Sequence, residues 1–113
     1  PFAELKGTPC SAGEVTGEVV VITDPKLSVN VKDKIIVTKM TDPGWVFMLA
    51  QASGIISEKG SLLSHTAIIS RELHIPSIVG VKDAVTILKT GDIVKMNGSK
   101  GEITPIYAKV FIN

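Results

Sequence analysis

Residues 54–80, GIISEKGSLLSHTAIISRELHIPSIVG, contain the pattern that decides the fold. The segment opens and closes on short apolar runs, GIIS and SIVG, which have the composition of buried strands. Between them Ser64 is predicted to cap a helix that runs from residue 65 to about residue 74, and Pro76 follows the helix end. A strand, a helix and a second strand in succession indicate an α/β domain.

The flanking sequence extends this alternation. Asp42, followed by Pro43 at the first helical position, and Asp83 are predicted to cap two further helices. The apolar spacing of the first of them continues to Ala52, and the second is predicted over residues 84–89. Gly54 is predicted to be the left-handed residue that ends that helix. Further strands are predicted at 17–23, 35–38, 92–97 and 101–106, with a hairpin turn at 97–101 and a loop at 7–13. The expected fold class is therefore α/β, with a mixed sheet and short flanking helices.

The composition limits the class of protein. A chain of 113 residues and 12.0 kDa fits a single domain, 1–113, and its 44% hydrophobic and 20% charged residues favour a folded one. A net charge of +1 and few aromatic residues argue against a nucleic-acid partner. No apolar run approaches the length of a membrane span. The single cysteine excludes an internal disulfide and, with two histidines at unrelated positions, a structural metal site. We therefore predict no metal ligands and a cytoplasmic location.

The ends of the chain suggest a larger context. The sequence begins at Pro1 rather than at methionine, so we expect a domain that is excised from, or works with, a larger multidomain enzyme. If Asn113 is the natural end, a C-terminal position in that enzyme is favoured.

His65 is the candidate catalytic residue. At the first turn of the predicted helix it would lie beside backbone N–H groups that have no partner within the helix and that together attract anions. The same positive end disfavours imidazolium, so the ring is expected to keep a nucleophilic lone pair. Side chains and backbone that could orient the ring or bind a phosphoryl group are Ser57, Gly60, Ser64, Thr66 and Arg71.

Less specific interpretations remain. A histidine near a helix start is often only a neighbour of the cap, and His74 is predicted to be structural. A hydrolase that uses Ser64 or Ser57 with His65 is disfavoured, because adjacent side chains on a helix diverge and no acidic partner is placed to orient the ring.

The segment 57–80 resembles the phosphohistidine swivelling domain, or mobile domain, of phosphoenolpyruvate-utilising enzymes, a group that includes phosphoenolpyruvate synthase, pyruvate phosphate dikinase and rifampicin phosphotransferase. The family pattern around its histidine is T-x-x-G-G-x-T-S-H-x-A-I-x-A-R-E-L-x-I-P-A-V-V-G. The segments GTPCSAG at 7–13 and TDPGW at 41–45 are similar to other family motifs. This sequence departs from the pattern at Ser57, Ser61 and Leu63.

The resemblance implies a swivelling β/β/α fold in which His65 is phosphorylated and shuttles the phosphoryl group. It also implies partner domains on the same or another chain: an ATP-grasp domain that binds ATP and Mg²⁺, and a phosphoenolpyruvate/pyruvate barrel or other acceptor domain. No cofactor is expected on this domain, and the domain alone is not expected to turn over. Two alternatives are the carrier domain of a rifampicin-type phosphotransferase and a non-catalytic interaction module with the same fold.

Overall fold

A computed structural model describes residues 3–25 and 29–108, and within these ranges eight strands form one mixed sheet. Pro1 and Asn113 lie outside the described residues. The strands are β1 (Leu5–Lys6), β2 (Thr8–Ser11), β3 (Glu14–Val21), β4 (Ile35–Thr38), β5 (Gly54–Ser57), β6 (Ser77–Val79), β7 (Ile93–Asn97) and β8 (Glu102–Tyr107). The helices are α1 (Val46–Leu49), which follows a 3₁₀ turn over Pro43–Trp45, α2 (His65–Leu73) and α3 (Ala84–Ile87).

The strand order is β1-β8-β7-β3-β4-β5-β6-β2. Strands β3, β4, β5 and β6 run parallel to one another, whereas β7 and β8 continue the sheet from β3 as antiparallel strands and β2 pairs antiparallel with β6. Strands β1 and β2 lie at opposite ends of this order although only Gly7 separates them in sequence. The sheet therefore curls until its two outer strands nearly meet.

The parallel strands β4, β5 and β6 are buried on both faces, and alternate residues of β4 and β5 supply two separate cores. Ile35, Val37 and Ile56 pack with α3 and the antiparallel strands in one cluster. Ile36 and Ile55 pack on the other face in a cluster that includes Trp45, Leu49 and Ala52. Successive side chains of a strand point to opposite faces, so a continuous apolar run is what a doubly covered strand requires.

Most of the predicted elements are present. Strands β4 and β5 have the predicted bounds, the hairpin of β7 and β8 forms, and α2 begins at His65 and ends one residue before His74. Asp42 caps its helix as predicted, since its Oδ1 accepts a 2.8 Å hydrogen bond from the Gly44 N–H, although the first turn is 3₁₀ rather than α. The predicted mixed α/β fold is confirmed.

Three local predictions were wrong. Residues 8–11 form β2 rather than loop, because they pair with β6 in the register Thr8↔Val79 and Ser11↔Ser77. Gly54 begins β5 and does not end a helix in the left-handed region. Asp83 precedes α3 as predicted but is itself left-handed, with φ 58°, and makes no side-chain cap. In the described part of the chain, no helix combines the length and the apolar character needed to cross a bilayer.

Candidate active site

The carboxyl ends of β4 and β5 bring two loops together. Beyond the sheet, the Glu58 N–H donates to the Thr38 carbonyl at 2.9 Å and the Lys59 N–H donates to the Lys39 carbonyl at 2.8 Å. The buried Ser57 hydroxyl lies between the carbonyl oxygens of Lys39 and Lys59, at 3.0 and 2.7 Å. The loop that follows β4 is therefore held against the loop that leads into α2.

The N-terminus of α2 is left open on its outer side. Ser64 has the extended backbone of an N-cap, with φ −73° and ψ 161°, but its side chain makes no cap hydrogen bond. Its hydroxyl instead donates to the Ser61 carbonyl at 2.8 Å. The predicted side-chain cap at Ser64 is therefore wrong, because the hydroxyl is used by the Ser61 carbonyl in the turn before the helix. The first N–H groups of α2, which have no partner within the helix, stay available to an anion.

His65 begins α2, is partly exposed, and is held by a residue of the neighbouring loop. Its Nδ1 lies 2.9 Å from the Thr41 hydroxyl oxygen. The same oxygen lies 2.7 Å from the hydroxyl of Thr66, which is 3% exposed. The ring is thus fixed through Nδ1, and its second nitrogen, Nε2, is not engaged by any hydrogen bond among the described residues.

Thr41 is the partner of the imidazole that sequence reasoning missed. Its segment is recognisable in the sequence as a helix start, with Asp42 and Pro43, and as part of a family motif, but neither feature places Thr41 beside His65. The signal that could have found it is topological: the carboxyl ends of adjacent parallel strands meet at one edge, so residues after β4 approach residues after β5. That signal requires knowing that β4 and β5 are neighbours.

The predicted supporting residues are only partly brought together around the ring. Ser57 points to the two loop carbonyls and Ser64 to Ser61, so neither hydroxyl reaches the imidazole. Thr66 is buried against Thr41. The imidazole is instead contacted by Thr41, which takes the ring-orienting place predicted for these serines.

Gly60 gives the loop before His65 its shape. Its φ is +119°, a region that other residues rarely adopt, and a Cβ there would lie 2.9 Å from the Ser64 Oγ. Ser61, which replaces the second glycine of the family pattern, is not among the residues with positive φ. The departure at Ser61 therefore imposes no backbone strain.

We expect Gly60→Ala to destabilise the fold by about 1–3 kcal/mol and to disturb the approach to His65, because the new methyl group adds both strain and a clash with Ser64. The matched variant Ser61→Gly should change stability by less than about 1 kcal/mol. Urea unfolding of both variants, followed by the fluorescence of Trp45, tests this. Equal losses in the two variants would contradict the assigned roles.

Arg71 connects the loop before α2, residues 58–64, to β2. From the last turn of α2 its guanidinium donates to the Leu62 carbonyl at 2.9 Å and, through a longer contact of 3.4 Å, to the Cys10 carbonyl. In this arrangement both guanidinium contacts go to main-chain carbonyl oxygens, and neither goes to the imidazole. It remains exposed on its outer side.

The Cys10 thiol adds a pH dependence to this corner of the molecule. Burial raises the pKa of Cys10 above its ordinary value, and the charge of Arg71 and a backbone hydrogen bond at Val79 offset only part of that effect. The folded state then holds the thiol proton more tightly than the unfolded state does. The resulting stabilisation is complete below the ordinary thiol pKa and is lost as pH rises through the raised value.

Accordingly, the free energy of unfolding of the wild-type protein should fall more steeply than that of Cys10→Ala as the pH is raised above the ordinary thiol range. Urea titrations of both proteins at a series of alkaline pH values measure the difference, which cancels the contribution of every group that the two proteins share. Parallel curves would show that the thiol does not contribute.

The surroundings of the loop are apolar and open. A cleft of about 480 Å³ is lined by Thr8, Gly60, Ser61, Leu62 and Leu63, and Leu63 is 84% exposed. Among the described residues no group of three His, Cys, Asp or Glu side chains lies close enough to hold a metal ion.

Comparison with known proteins gives a consistent set of relatives. The family model described as the mobile domain of PEP-utilising enzymes matches residues 30–101. A probable phosphoenolpyruvate synthase of Pyrococcus horikoshii is 47% identical over 98 residues, which is 86% of this chain and 12% of that protein. A rifampicin phosphotransferase of Bacillus cereus is 36% identical over 104 residues, 91% of this chain and 12% of that protein.

A solved structure agrees with these matches. The solution structure of an Enzyme I protein has a TM-score of 0.58 and 26% identity over 66% of this chain and 31% of that chain. The two curated relatives are much longer than this chain, which spans 12% of the length of each, so they are larger enzymes with further domains.

Proposed function

The chain belongs to the mobile-domain family of phosphoenolpyruvate-utilising enzymes, and from this we propose that it carries a phosphoryl group on His65 between two reaction sites. One observation carries the proposal: Nδ1 of His65 is held by Thr41 at 2.9 Å while the partly exposed ring begins a helix whose N-terminus has no side-chain cap. A nucleophile with one nitrogen fixed and the other free, beside amide donors, suits reversible transfer of PO₃.

The geometry favours Nε2 as the phosphorylated nitrogen, because Nδ1 is already engaged. In the first half-reaction the Nε2 lone pair attacks phosphorus in line with the leaving group. An N–P bond forms, and the P–O bond to the leaving group breaks with its electron pair on the departing oxygen. In the second half-reaction an acceptor oxygen attacks phosphorus, and the N–P electron pair returns to Nε2.

The N-terminus of α2 supports both steps. Its first N–H groups do not donate to the Ser64 side-chain oxygen, because that hydroxyl is turned to the Ser61 carbonyl. They therefore remain able to donate to phosphoryl oxygens. Gly60 and Arg71 contribute indirectly by fixing the loop that precedes the ring.

The partners in this proposal are the further domains that the larger relatives possess. We assign the donor site to an ATP-grasp domain that binds ATP and Mg²⁺, and the acceptor site to a phosphoenolpyruvate/pyruvate barrel, on the same chain or another. Identity to the synthase, 47%, exceeds identity to the rifampicin enzyme, 36%, which favours pyruvate over a drug as the acceptor. No observation favours the non-catalytic module.

The test is to place this chain in the position of the mobile domain of the Pyrococcus horikoshii synthase and to supply labelled ATP or labelled phosphoenolpyruvate. We expect an acid-labile, base-stable label on His65, with ³¹P–¹⁵N coupling at Nε2. The unmodified synthase provides the positive control. An intact, folded chimera that takes no label from either donor would refute the proposal, and label confined to Nδ1 would refute the assignment of the nitrogen.

A further inference from the structure

Thr66 is a buried hydroxyl next to the proposed nucleophile, and its position raises the question of what it does. It is 3% exposed, so it does not reach a phosphoryl group on the partly exposed ring. Its hydroxyl lies 2.7 Å from the Thr41 hydroxyl, and Thr41 in turn contacts Nδ1 of His65 at 2.9 Å. Three polar groups therefore form one chain from the helix interior to the imidazole.

The number of protons in that chain is limited. A hydroxyl has one proton to donate and lone pairs to accept, and a neutral imidazole has one N–H and one acceptor nitrogen. If Nδ1 carries the ring proton, Nδ1–H donates to Thr41, and Thr41 must send its own proton to Thr66. If Thr41 instead donates to Nδ1, the ring proton is on Nε2 and Thr66 donates to Thr41.

Only the first arrangement suits attack by Nε2, which needs its lone pair. It is satisfied without loss because Thr66 can accept the Thr41 proton. Without a hydroxyl at 66, the first arrangement leaves the Thr41 proton unpaired on its inner side, whereas the second leaves only a Thr41 lone pair unused, which costs less. We propose that the Thr66 hydroxyl, acting through Thr41, keeps the ring proton of His65 on Nδ1 and so leaves the Nε2 lone pair free.

Thr66 is thus a positioning residue, and its proposed role rests on the proposed function of His65. During transfer the proton stays on Nδ1 while Nε2 forms and later breaks its bond to phosphorus. The chain of hydrogen bonds from Thr66 through Thr41 to Nδ1, here called the relay, therefore exchanges no atoms. A neutral hydrogen bond has a net worth of about 0.5–1.5 kcal/mol, which corresponds to roughly a 2- to 10-fold change in the ratio of the two ring tautomers.

The experiment measures that ratio directly, without a phosphoryl donor. Long-range ¹H–¹⁵N spectra of the histidine-labelled chain, recorded well above the ordinary titration range of imidazole, report which nitrogen of each ring is protonated. We expect Thr66→Val to lower the Nδ1–H to Nε2–H ratio of His65 roughly 2- to 10-fold, and Thr66→Ser to leave it near the wild-type value. The exposed His74 is the internal reference and should not change in either variant.

An unchanged ratio in Thr66→Val, or an equal shift in Thr66→Ser, would overturn the proposal. If the valine variant does not fold, Thr66→Ala removes the hydroxyl without branching, and the same expectation applies. Because the tautomer is read in the unphosphorylated chain, the relay can fail while phosphorylation of His65 stands, and a chain that takes no label can still show the shift.

Discussion

Replacing His65 with alanine should abolish phosphorylation of the chain, with a loss of about 10³-fold or more in the rate of labelling, because the variant lacks the attacking nitrogen itself. The fold should survive, since the side chain is partly exposed and belongs to neither of the two large apolar clusters. The fluorescence of the buried Trp45 and a thermal melt check that directly. The labelling assay is the one described for the chimera.

The matched control for this variant is His74→Asn. His74 is the second histidine of the chain, is exposed, and ends α2 in the left-handed region with φ 57°, where asparagine is well tolerated. This variant should be labelled at the wild-type rate. Label that persists in His65→Ala and disappears in His74→Asn would show that the wrong histidine has been assigned.

The largest effect on stability is expected for Gly98→Ala. Gly98 is buried where the turn between β7 and β8 meets β2, and a Cβ there would overlap the Ser11 carbonyl oxygen and lie 3.1 Å from the Ser77 backbone nitrogen. Both obstacles are main-chain atoms of paired strands, so neither can rotate away. We expect the free energy of unfolding to fall by about 3 kcal/mol, or the melting temperature by roughly 10–20 °C.

Gly17→Ala is the matched control for the stability prediction. Gly17 also lies in the sheet, but a Cβ there would meet Ile35 Cδ1 at 3.5 Å, an ordinary contact. Its effect should stay within about 1 kcal/mol of the wild type. Calorimetry of the two variants compares them, and similar melting temperatures would mean that the turn moves freely away from β2.

The elements that the sequence predicts well are those determined by local patterns. Consecutive residues define the apolar runs of β4 and β5 and the start and end signals of α2. The predicted bounds of these three elements agree with the structure to within about one residue. Strand β2 depends on a partner distant in sequence, because Thr8 and Ser11 are strand residues only through β6. Their small and polar composition gives no local indication of this.

In the candidate site too, the residues placed by local sequence are predictable and those placed by distant contacts are not. His65 is predictable because its placement at a helix start is a local feature. Its partner Thr41 is not, since their contact spans two neighbouring parallel strands and the helical segment between them. The same limitation explains Ser57 and Ser64, whose hydroxyls were available to any nearby acceptor and were taken by loop carbonyls.

The curled sheet has a practical consequence for anyone who trims this protein. Residues 5–11 supply both outer strands, β1 against Ile103 and β2 against Val79, whereas the family match begins only at residue 30. A fragment cut at that boundary would lose β1, β2 and β3, and the strands that pair with them, β8, β6, β7 and β4, would each present a row of unpaired backbone groups to solvent. Such rows are templates for intermolecular pairing, so the fragment should aggregate even though it retains the histidine segment intact.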